Sequence, residues 1–528
     1  MGGGLLQLVA YGAQDAYITG NPHITFWKVL YKRHTNFAME AFRVNFTGAP
    51  QYGQRVVAVI NRNADLMYKT YLEVQLPDTL TANVKWTGAY ERRLGYQLLK
   101  KVEVEIGGQI IDTHYGEWLF LWENLTSGFD NSVKLDSMLG GYLGGSETTA
   151  VSCGGRPAIL YIPLQFWFCR NPGLALPLIA LQYHEVRINV TLNPATDLVS
   201  GTAGTAGSVS SNAAALPQLK DMSLYIDYIY LDVDERRRFA QQSHEYLIDQ
   251  LQFGLQQTLT TSSARIDLTL NHPVKELVWV FQDARKTDCG SEMTKNLGFT
   301  QPFSYDDIVN RARLQINGQD RFDERYGDYF WKVQPYQHHS GGAFWPMRAQ
   351  TIAQTPTTFT ITGTISGDVL TVTAPTSGTN FIVEGALITA VSGKASVGNI
   401  APGTIISAFG TGNGLGAAGG LTYNLSEPGL GSFASEADNI TVTLPNLNYA
   451  PHNNPINVYS FAIQPEEHQP SGTCNFSRID TTTLVFDSIT ASGIAKPTKS
   501  TPFNFRIYAV NYNIFRVMSG MGGLAYSN

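Results

Sequence analysis

Hydrophobic and polar residues alternate along much of this chain with the period of two that a half-buried β-strand requires. The clearest run is Lys101-Val-Glu-Val-Glu-Ile106, and the Gly107-Gly108 pair after it suits a tight turn. Similar runs occur at 55–60, 69–76, 159–168, 184–192, 222–231, 264–270, 276–281, 311–316 and 456–463. Amphipathic helices do not alternate with these runs, so the pattern predicts an all-β chain rather than a parallel α/β fold.

The strongest helical pattern lies near the midpoint, over 234–251. Asp234 is a candidate N-cap, because a short acidic side chain can accept hydrogen bonds from the first backbone N–H groups. Four apolar residues would share one helical face: Phe239, Tyr246, Leu247 and Leu251. We predict a helix here that joins two halves of the chain.

Short motifs of the first half recur in the second half in the same order. VEIGGQ at 104–109 matches LQINGQ at 314–319, an offset of 210 residues. YGEW at 115–118 matches YGDY at 326–329, an offset of 211. The matches indicate a duplicated β domain of about 200 residues, which fits a β-sandwich of the jelly-roll kind.

A third match has a larger offset. Tyr161 lies 11 residues before Pro172, and Tyr459 lies 11 residues before Pro470, which gives an offset of 298. The increase is close to the length of 355–444, a segment rich in Thr, Gly, Ser and Ala and nearly free of Arg and Lys. We therefore predict that the second copy carries a small β-rich insertion domain.

The predicted organisation has four parts and one insertion. They are an N-terminal arm at 1–25, a first jelly roll at 26–235, a linker helix at 236–252, and a second jelly roll at 253–528 interrupted by the insertion at 355–444.

Charge and cysteine content narrow the function classes. Charged residues make up 15% of the chain, against about 25% in typical globular proteins. The net charge of −6 and the pI of 5.9 argue against direct packaging of nucleic acid through its phosphates. Cys153, Cys169, Cys289 and Cys474 are dispersed without a CxxC motif, which predicts reduced thiols rather than a disulfide framework or a zinc site. No run of 18 apolar residues occurs, so we expect no transmembrane segment.

Four motifs could carry chemistry, and each has a simpler structural interpretation. GLGAAG at 414–419 fits GxGxxG, but the strand-like 421–425 follows where a dinucleotide site needs a helix. The adjacent His338 and His339 would point to opposite faces of a strand, so a metal site with Glu466 and His468 is not expected.

The other two motifs adjoin the predicted helix. The acidic Asp232, Asp234 and Glu235 could hold a divalent cation, but acidic residues also favour a helix start. Arg236–Arg238 could bind phosphate, although a solvated face or a subunit contact explains one short basic run equally simply. We expect no catalytic residue, no cofactor and no metal.

Several stretches carry a family resemblance. They are Gln7–Tyr17 with Thr19–Pro22, Asp112–Trp118, Leu224–Phe239, Asn271–Val274 and Ser471–Asp480. Through them the chain resembles the double jelly-roll major capsid proteins of nucleocytoplasmic large DNA viruses, of the algal and giant-virus type. The segment 355–444 shows no such resemblance.

The resemblance implies two tandem eight-stranded jelly rolls and a structural, non-enzymatic role. Three copies would form a homotrimer that presents six similar domains, and this pseudo-hexagonal capsomer would tile an icosahedral shell. The virion would be the protein's location, after synthesis and assembly in the host cytoplasm. No direct contact with nucleic acid is implied.

The resemblance also implies partners besides the protein itself. The arm would lie at the capsomer base, facing minor capsid proteins and an internal membrane, with Leu5, Leu8, Tyr11 and Asp15 as candidate base contacts. Penton proteins would be neighbours in the shell. The insertion would form an outer tower and could bind host-surface glycans. The alternatives are a carbohydrate-binding or adhesive virion β protein, and a jelly-roll enzyme.

Overall fold

The first half of the chain folds into two antiparallel sheets in the computed structural model. The model describes residues 7–76, 85–86, 94–140, 152–153, 156–157, 159–194, 198–200, 219–261, 263–284, 303, 305–341, 358–366, 369–375, 387–392, 406–409, 421–425, 438–443, 455–489 and 502–526. The first-half strands are β1 (Phe37–Asn45), β2 (Arg55–Val59), β3 (Leu66–Gln75), β4 (Lys85–Trp86), β5 (Leu99–Ile106), β6 (Gln109–Tyr115), β7 (Ser152–Cys153), β8 (Arg156–Pro157), β9 (Ile159–Pro163), β10 (Leu176–Pro177), β11 (Val186–Leu192), β12 (Val199–Ser200) and β13 (Asp221–Leu231).

The strand order of these two sheets is that of a jelly roll. One sheet runs β1-β13-β3-β10, with β9 also paired to β3, and the other runs β2-β11-β5-β6. The first and last strands are therefore neighbours, as a Greek-key chain path requires. Alternate residues of each strand fill one core between the sheets, as in β5, where Val102, Val104 and Ile106 are fully buried.

The second half repeats this order. Its strands outside the insertion are β14 (His244–Leu259), β15 (Ala264–Asp267), β16 (Pro273–Asp283), β17 (Val309–Ile316), β18 (Gln319–Asp320), β19 (Arg325–Tyr326), β26 (Asn457–Ser460), β27 (Cys474–Asn475), β28 (Thr482–Ile489), β29 (Phe503–Met518) and β30 (Met521–Leu524). One sheet runs β14-β29-β16-β26 and the other β15-β28-β17-β18. The first three strands of each order occupy the places of their first-half counterparts, and a second core lies between these sheets. Beside β16, strands β26 and β27 correspond to β9 and β10 beside β3.

Strands of the segment 355–444 pair with one another in a sheet of their own. They are β20 (Thr358–Ser366), β21 (Val369–Pro375), β22 (Leu387–Ser392), β23 (Ile406–Phe409), β24 (Leu421–Leu425) and β25 (Asp438–Thr443). Their order is β22-β25-β20-β21-β24-β23. The domain boundaries given above stay predictions.

Helices connect the strands at a few points. They are α1 (Ala13–Thr19), α2 (Leu94–Leu98), α3 (Gly116–Thr126), α4 (Phe129–Met138), α5 (Trp167–Arg170), α6 (Val233–Gln241) and α7 (Gln334–His338). A π-helical turn, Tyr329–Val333, leads directly into α7, and 3₁₀ turns lie at Pro172–Leu174 and Phe476–Arg478.

Two of the three repeated motifs occupy equivalent places in the two jelly rolls. Gly107 and Gly108 turn the chain between β5 and β6 with positive φ, and Asn317 and Gly318 do the same between β17 and β18. These are the residue types that a two-residue hairpin turn with left-handed conformations needs.

The glycine of the YGEW and YGDY motifs has a packing reason in both copies. A Cβ on Gly116 would lie 2.1 Å from the carbonyl oxygen of Tyr96, and a Cβ on Gly327 would lie 2.0 Å from that of Val309. Both glycines therefore permit a helical segment to start against the backbone of its own jelly roll.

The third match is wrong in register. Tyr161 and Tyr459 both lie on the strand that pairs with the β3 or β16 position, but they face opposite sides. Tyr161 lies on the outer face, where its ring is 6.2 Å from that of Tyr71. Tyr459 lies in the second core. Equal spacing to a later proline thus identified the strand and not the side-chain position.

The linker helix is shorter than predicted and begins earlier. Helix α6 ends at Gln241, and His244–Leu259 forms strand β14. Asp232 is the N-cap, since its side chain accepts a hydrogen bond from the backbone N–H of Val233. Residues 244–251 are extended because β14 pairs along its length with β29, more than 240 residues later in the chain.

Candidate assembly site

The two jelly rolls pack together through helix α3. This first-half helix lies on the outer face of the second-half sheet that contains β16 and β29. The contact buries Trp118, Leu121, Trp122 and Leu125 of the helix against Val278, Val280, Val458, Tyr508 and Val510 of the sheet. That sheet is therefore buried on both faces, which explains the unbroken apolar run in β16.

An ionic network fixes the start of α3 on this sheet. Glu117 Oε1 accepts hydrogen bonds from Arg506 Nε at 2.9 Å and Nη2 at 2.6 Å. The hydroxyls of Tyr305 and Tyr508 also donate to this carboxylate. Every charge here has a partner, as burial of ionised groups requires.

The titration behaviour of these groups reflects burial and the Glu117 charge. Burial raises the pKa of both tyrosine hydroxyls well above their usual value, and the adjacent carboxylate adds to the shift. Burial alone would lower the pKa of Arg506, but Glu117 outweighs it and the pKa lies above its usual value. The guanidinium is held charged and the tyrosines neutral.

A second buried cluster crosses the same junction. Asp249 Oδ1 lies 3.2 Å from Lys275 Nζ, and its Oδ2 lies 3.5 Å from Arg170 Nη2 of the first jelly roll. Burial lowers the pKa of Lys275 despite the attraction of Asp249. The Arg170 guanidinium also lies 5.0 Å from the centre of the Trp122 ring, so the cluster adjoins the apolar contact of α3.

His339 and Glu466, considered above as metal candidates, do come together. His339 Nδ1 is 3.0 Å from Glu466 Oε1, and His339 Nε2 is 3.0 Å from Glu276 Oε2 of β16. Burial alone would lower the His339 pKa, but the two carboxylates raise it to about 9. Burial alone would raise the pKa of Glu466. Hydrogen bonds from His339 and Ser340, together with the positive charge of His339, outweigh burial and lower it. The three groups form a buried ion pair network rather than a ligand set.

The other candidates are placed apart from this network. His338 Nδ1 contacts the carbonyl oxygen of Ile463 at 3.0 Å. Arg236 Nε pairs with Asp65 Oδ1 at 2.9 Å, so the basic run is partly anchored within the chain. Within the described ranges, no group of three or more His, Cys, Asp or Glu is arranged to hold a metal ion. The GLGAAG motif at 414–419 lies outside the described residues.

The two described cysteine side chains are free thiols. Burial raises the pKa of Cys169 to about 12, and it raises that of Cys474 as well. Neither has the depressed pKa of a nucleophilic cysteine. In the described part of the chain no helix is long and apolar enough to cross a membrane.

The arm exposes apolar side chains over a longer stretch than predicted. Leu8 is 79% exposed and Tyr11 61%, while Asp15 accepts a hydrogen bond from the backbone N–H of Gly12 within the arm. Leu5 lies outside the described residues. Exposure continues past 25, since Phe26, Trp27, Val29, Leu30 and Tyr31 are all at least two-thirds exposed. An apolar segment of this kind marks a contact surface.

Family models match both halves of the chain. The model described as "Major capsid protein N-terminus" matches residues 25–232. The model described as "Large eukaryotic DNA virus major capsid protein" matches residues 235–346 and 439–523, and the stretch between these ranges includes most of the predicted insertion.

Curated relatives cover the whole chain. The major capsid protein of Pyramimonas orientalis virus is 41% identical, and that of Paramecium bursaria Chlorella virus 1 is 33% identical, each over all of both chains. Capsid protein 1 of Acanthamoeba polyphaga mimivirus is 34% identical, again over all of both chains.

Solved structures agree with these relatives. A chain of the PBCV-1 virus capsid superposes with a TM-score of 0.61 at 30% identity, over 96% of this chain and 100% of that one. The Faustovirus major capsid protein shares the fold at 12% identity, with a TM-score of 0.54, over 96% of this chain and 94% of that one. The predicted double jelly roll is confirmed, and the relatives are structural proteins rather than enzymes.

The strand order, the packed pair of jelly rolls and the full-length relatives lead to one conclusion. The chain belongs to the family of major capsid proteins of large eukaryotic DNA viruses.

Proposed function

We propose that three copies of this protein form a closed, pseudo-hexagonal capsomer, the unit from which the virion shell is tiled. The observation that carries this proposal is the repetition of one sheet order in both halves of the chain. Two similar domains in each of three chains give six similar blocks around a threefold axis. Such a block can occupy a hexagonal lattice while it keeps closed symmetry.

The native mass of the purified protein tests the trimer directly. Light scattering across a hundredfold dilution should give about three times the chain mass of 58.0 kDa. Electron microscopy of concentrated samples should then show hexagonal arrays. A mass that stays at one chain at every concentration would contradict the proposal.

We further propose that the arm contacts minor capsid proteins at the base of the capsomer. Its exposed Leu8 and Tyr11, with Leu5 and Asp15 nearby in sequence, supply the contact residues. Deletion of residues 1–25 should leave the native mass at three chains per particle and reduce shell assembly. Normal shells from the truncated protein would refute this role.

The insertion is proposed as an outer tower, where its own sheet can vary without disturbing the two jelly rolls. Host-surface glycans are the partner that this position would favour, and penton proteins would be neighbours elsewhere in the shell. A glycan array probed with trimers, and with trimers that lack the insertion, tests the glycan role. Equal signals from both would contradict it.

A further inference from the structure

The contact between the two jelly rolls within one chain is asymmetric, and it leaves one copy of each contacting surface unused. Helix α3 of the first half lies on the outer sheet face of the second half. The chain also has a second-half helix, Tyr329–His338, and a first-half outer face on β3 and β13. These are the duplicates of the two surfaces that already contact each other.

The helical segments correspond residue by residue at their start. At the offset of 211, Tyr115, Glu117 and Trp118 of the first half match Tyr326, Asp328 and Tyr329 of the second. Tyr115 and Trp118 pack near Tyr508, with ring centres 6.3 Å and 5.5 Å away.

The corresponding part of the second half exposes its outward side chains to solvent. Tyr336 of this helix is 87% exposed and Val333 is also exposed, and Tyr326, at the end of β19 just before the helix, is 61% exposed. Asp328 is exposed and pairs with Lys332 of the same turn. We name Tyr326, Asp328, Val333 and Tyr336 the helix surface. In the first half, the matching positions near the motif are covered by the second-half sheet.

The outer faces of the two sheets also correspond. Tyr225 of β13 stands opposite Tyr71 of β3, and Tyr508 of β29 stands opposite Val278 of β16. On the neighbouring strand Arg43 stands opposite Tyr225, and Phe253 stands opposite Tyr508. The next strand begins 12 residues after Arg43, at Arg55, and 11 residues after Phe253, at Ala264, so the two residues lie near equivalent points of the chain path.

The first-half face is partly exposed and rich in aromatic rings. Tyr71 and Tyr225 stack at 5.2 Å with an interplanar angle of 3°, and Tyr161 lies 6.2 Å from Tyr71. All three are half-buried, and Arg43 and Glu73 flank them. We name Arg43, Tyr71, Glu73, Tyr161 and Tyr225 the sheet surface. Tyrosine and arginine are among the residues enriched in protein interfaces.

We infer that the sheet surface binds the helix surface of another copy of this chain, as the second-half sheet binds α3 within the chain. This inference rests on the proposed trimer and identifies its interface. A head-to-tail contact of this kind closes into a three-membered ring when each copy is rotated by one third of a full turn from the last, and any non-closing rotation gives an open filament. The intrachain contact then alternates with the interchain contact around six domains.

The intrachain contact supplies the residue pairs. The ring centres of Tyr115 and Phe253 lie 5.2 Å apart. Tyr326 corresponds to Tyr115 and Arg43 corresponds to Phe253, so the expected interchain neighbours are Tyr326 of one copy and Arg43 of the next. An arginine beside a tyrosine ring is a favourable pair. In the single chain both side chains are exposed, with Arg43 paired to Asp221 and Arg311 over one face of the Tyr326 ring.

Cross-linking tests this pair. The double variant Tyr326→Cys/Arg43→Cys, treated with a short bismaleimide, should give covalent dimers and trimers on a denaturing gel. The single variants Tyr326→Cys and Arg43→Cys should give no more cross-linked product than the wild-type protein, which carries the four native cysteines. Double-variant trimers that are intact by native mass but link no better than the single variants would overturn the inference.

A second pair of variants tests the surface without new cysteines. Val333→Asp/Tyr336→Asp should convert trimers to folded monomers, with circular dichroism as the check on folding. Val233→Asp, which changes an exposed apolar side chain on α6, should stay trimeric. If Val333→Asp/Tyr336→Asp stays trimeric on dilution as the wild type does, the helix surface does not form the interchain contact, and only that assignment is overturned. A wild-type protein that is monomeric throughout would instead overturn the capsomer proposal on which it rests.

Discussion

The two helical segments that begin within the YGEW and YGDY motifs start alike and end in different surroundings. Helix α3 is buried at Trp118, Leu121 and Trp122 against the other jelly roll. Its second-half counterpart exposes Val333 and Tyr336. A duplicated domain therefore needs different side chains at equivalent positions once one copy of a contact lies within the chain and the other does not.

The same contrast holds for the sheets. The second-half face that α3 covers is largely aliphatic, with Val278 and Val280. The matching first-half face carries Tyr71, Glu73 and Tyr225, which are half-buried. A permanently buried face can be apolar throughout, whereas a face that meets water before assembly must stay soluble.

The largest expected effect comes from the ionic network at the start of α3. Glu117→Ala leaves Arg506 buried without its carboxylate, and we expect the free energy of unfolding to fall by about 4 kcal/mol. The matched change Asp328→Ala removes an exposed pair with Lys332 and should cost less than about 1 kcal/mol in the monomer. Urea denaturation of both variants measures the difference. Equal losses would mean that the two helix starts lie in similar environments.

A slightly smaller loss of stability, of equal size in the two jelly rolls, is expected at the motif glycines. Gly116→Ala and Gly327→Ala both place a Cβ about 2 Å from a carbonyl oxygen, and each should lower the free energy of unfolding by about 3 kcal/mol. Gly128→Ala is the control, because a Cβ there meets nothing within 4 Å and its φ is −69°. Thermal unfolding of the three variants measures these losses of stability. A harmless change at either motif glycine would argue against the shared packing.

A pH effect of smaller size is expected near the end of the second-half helix, where His339 lies between Glu276 and Glu466. Its pKa is raised to about 9 in the folded protein, so its stabilisation is complete below the ordinary pKa of about 6.5. The stabilisation is lost as the pH rises through 9, by about 2 kcal/mol between pH 7 and pH 10.

Comparison with His339→Gln isolates this contribution from other groups that titrate above pH 9. The variant should lose less stability than the wild type over that pH range in urea denaturation. His338→Gln, which changes the neighbouring histidine bonded to a carbonyl oxygen, should behave as the wild type. A wild-type loss no larger than that of His339→Gln would contradict the assigned pKa.

Much of this fold could be predicted from local sequence. Alternation identified strands such as β5, β11 and β17, because one face of each meets a core and the other meets solvent or a helix. The glycine-containing turns and the YG motifs located equivalent points of the two jelly rolls. The family resemblance rested on motifs from the arm to beyond the insertion, and the comparisons confirmed it.

Other features depended on partners far away in the chain. Residues 244–251 read as helix from their spacing, yet they are extended because β29 pairs with them. Strand β29 itself and helix α3 were not predicted, since both are buried on more than one side and lack a simple period. The spacing around Tyr161 and Tyr459 could not show that their side chains lie on opposite faces of the corresponding strands.

The sequence by itself determined the all-β class, the duplication, the turn glycines and the family. Only the tertiary structure decided which charges meet. Glu117 and Arg506 are 389 residues apart in sequence, and His339 and Glu466 are 127 apart. Local patterns reflect what each residue does within its own strand or helix, whereas the choice of a distant partner depends on how whole sheets and helices pack together.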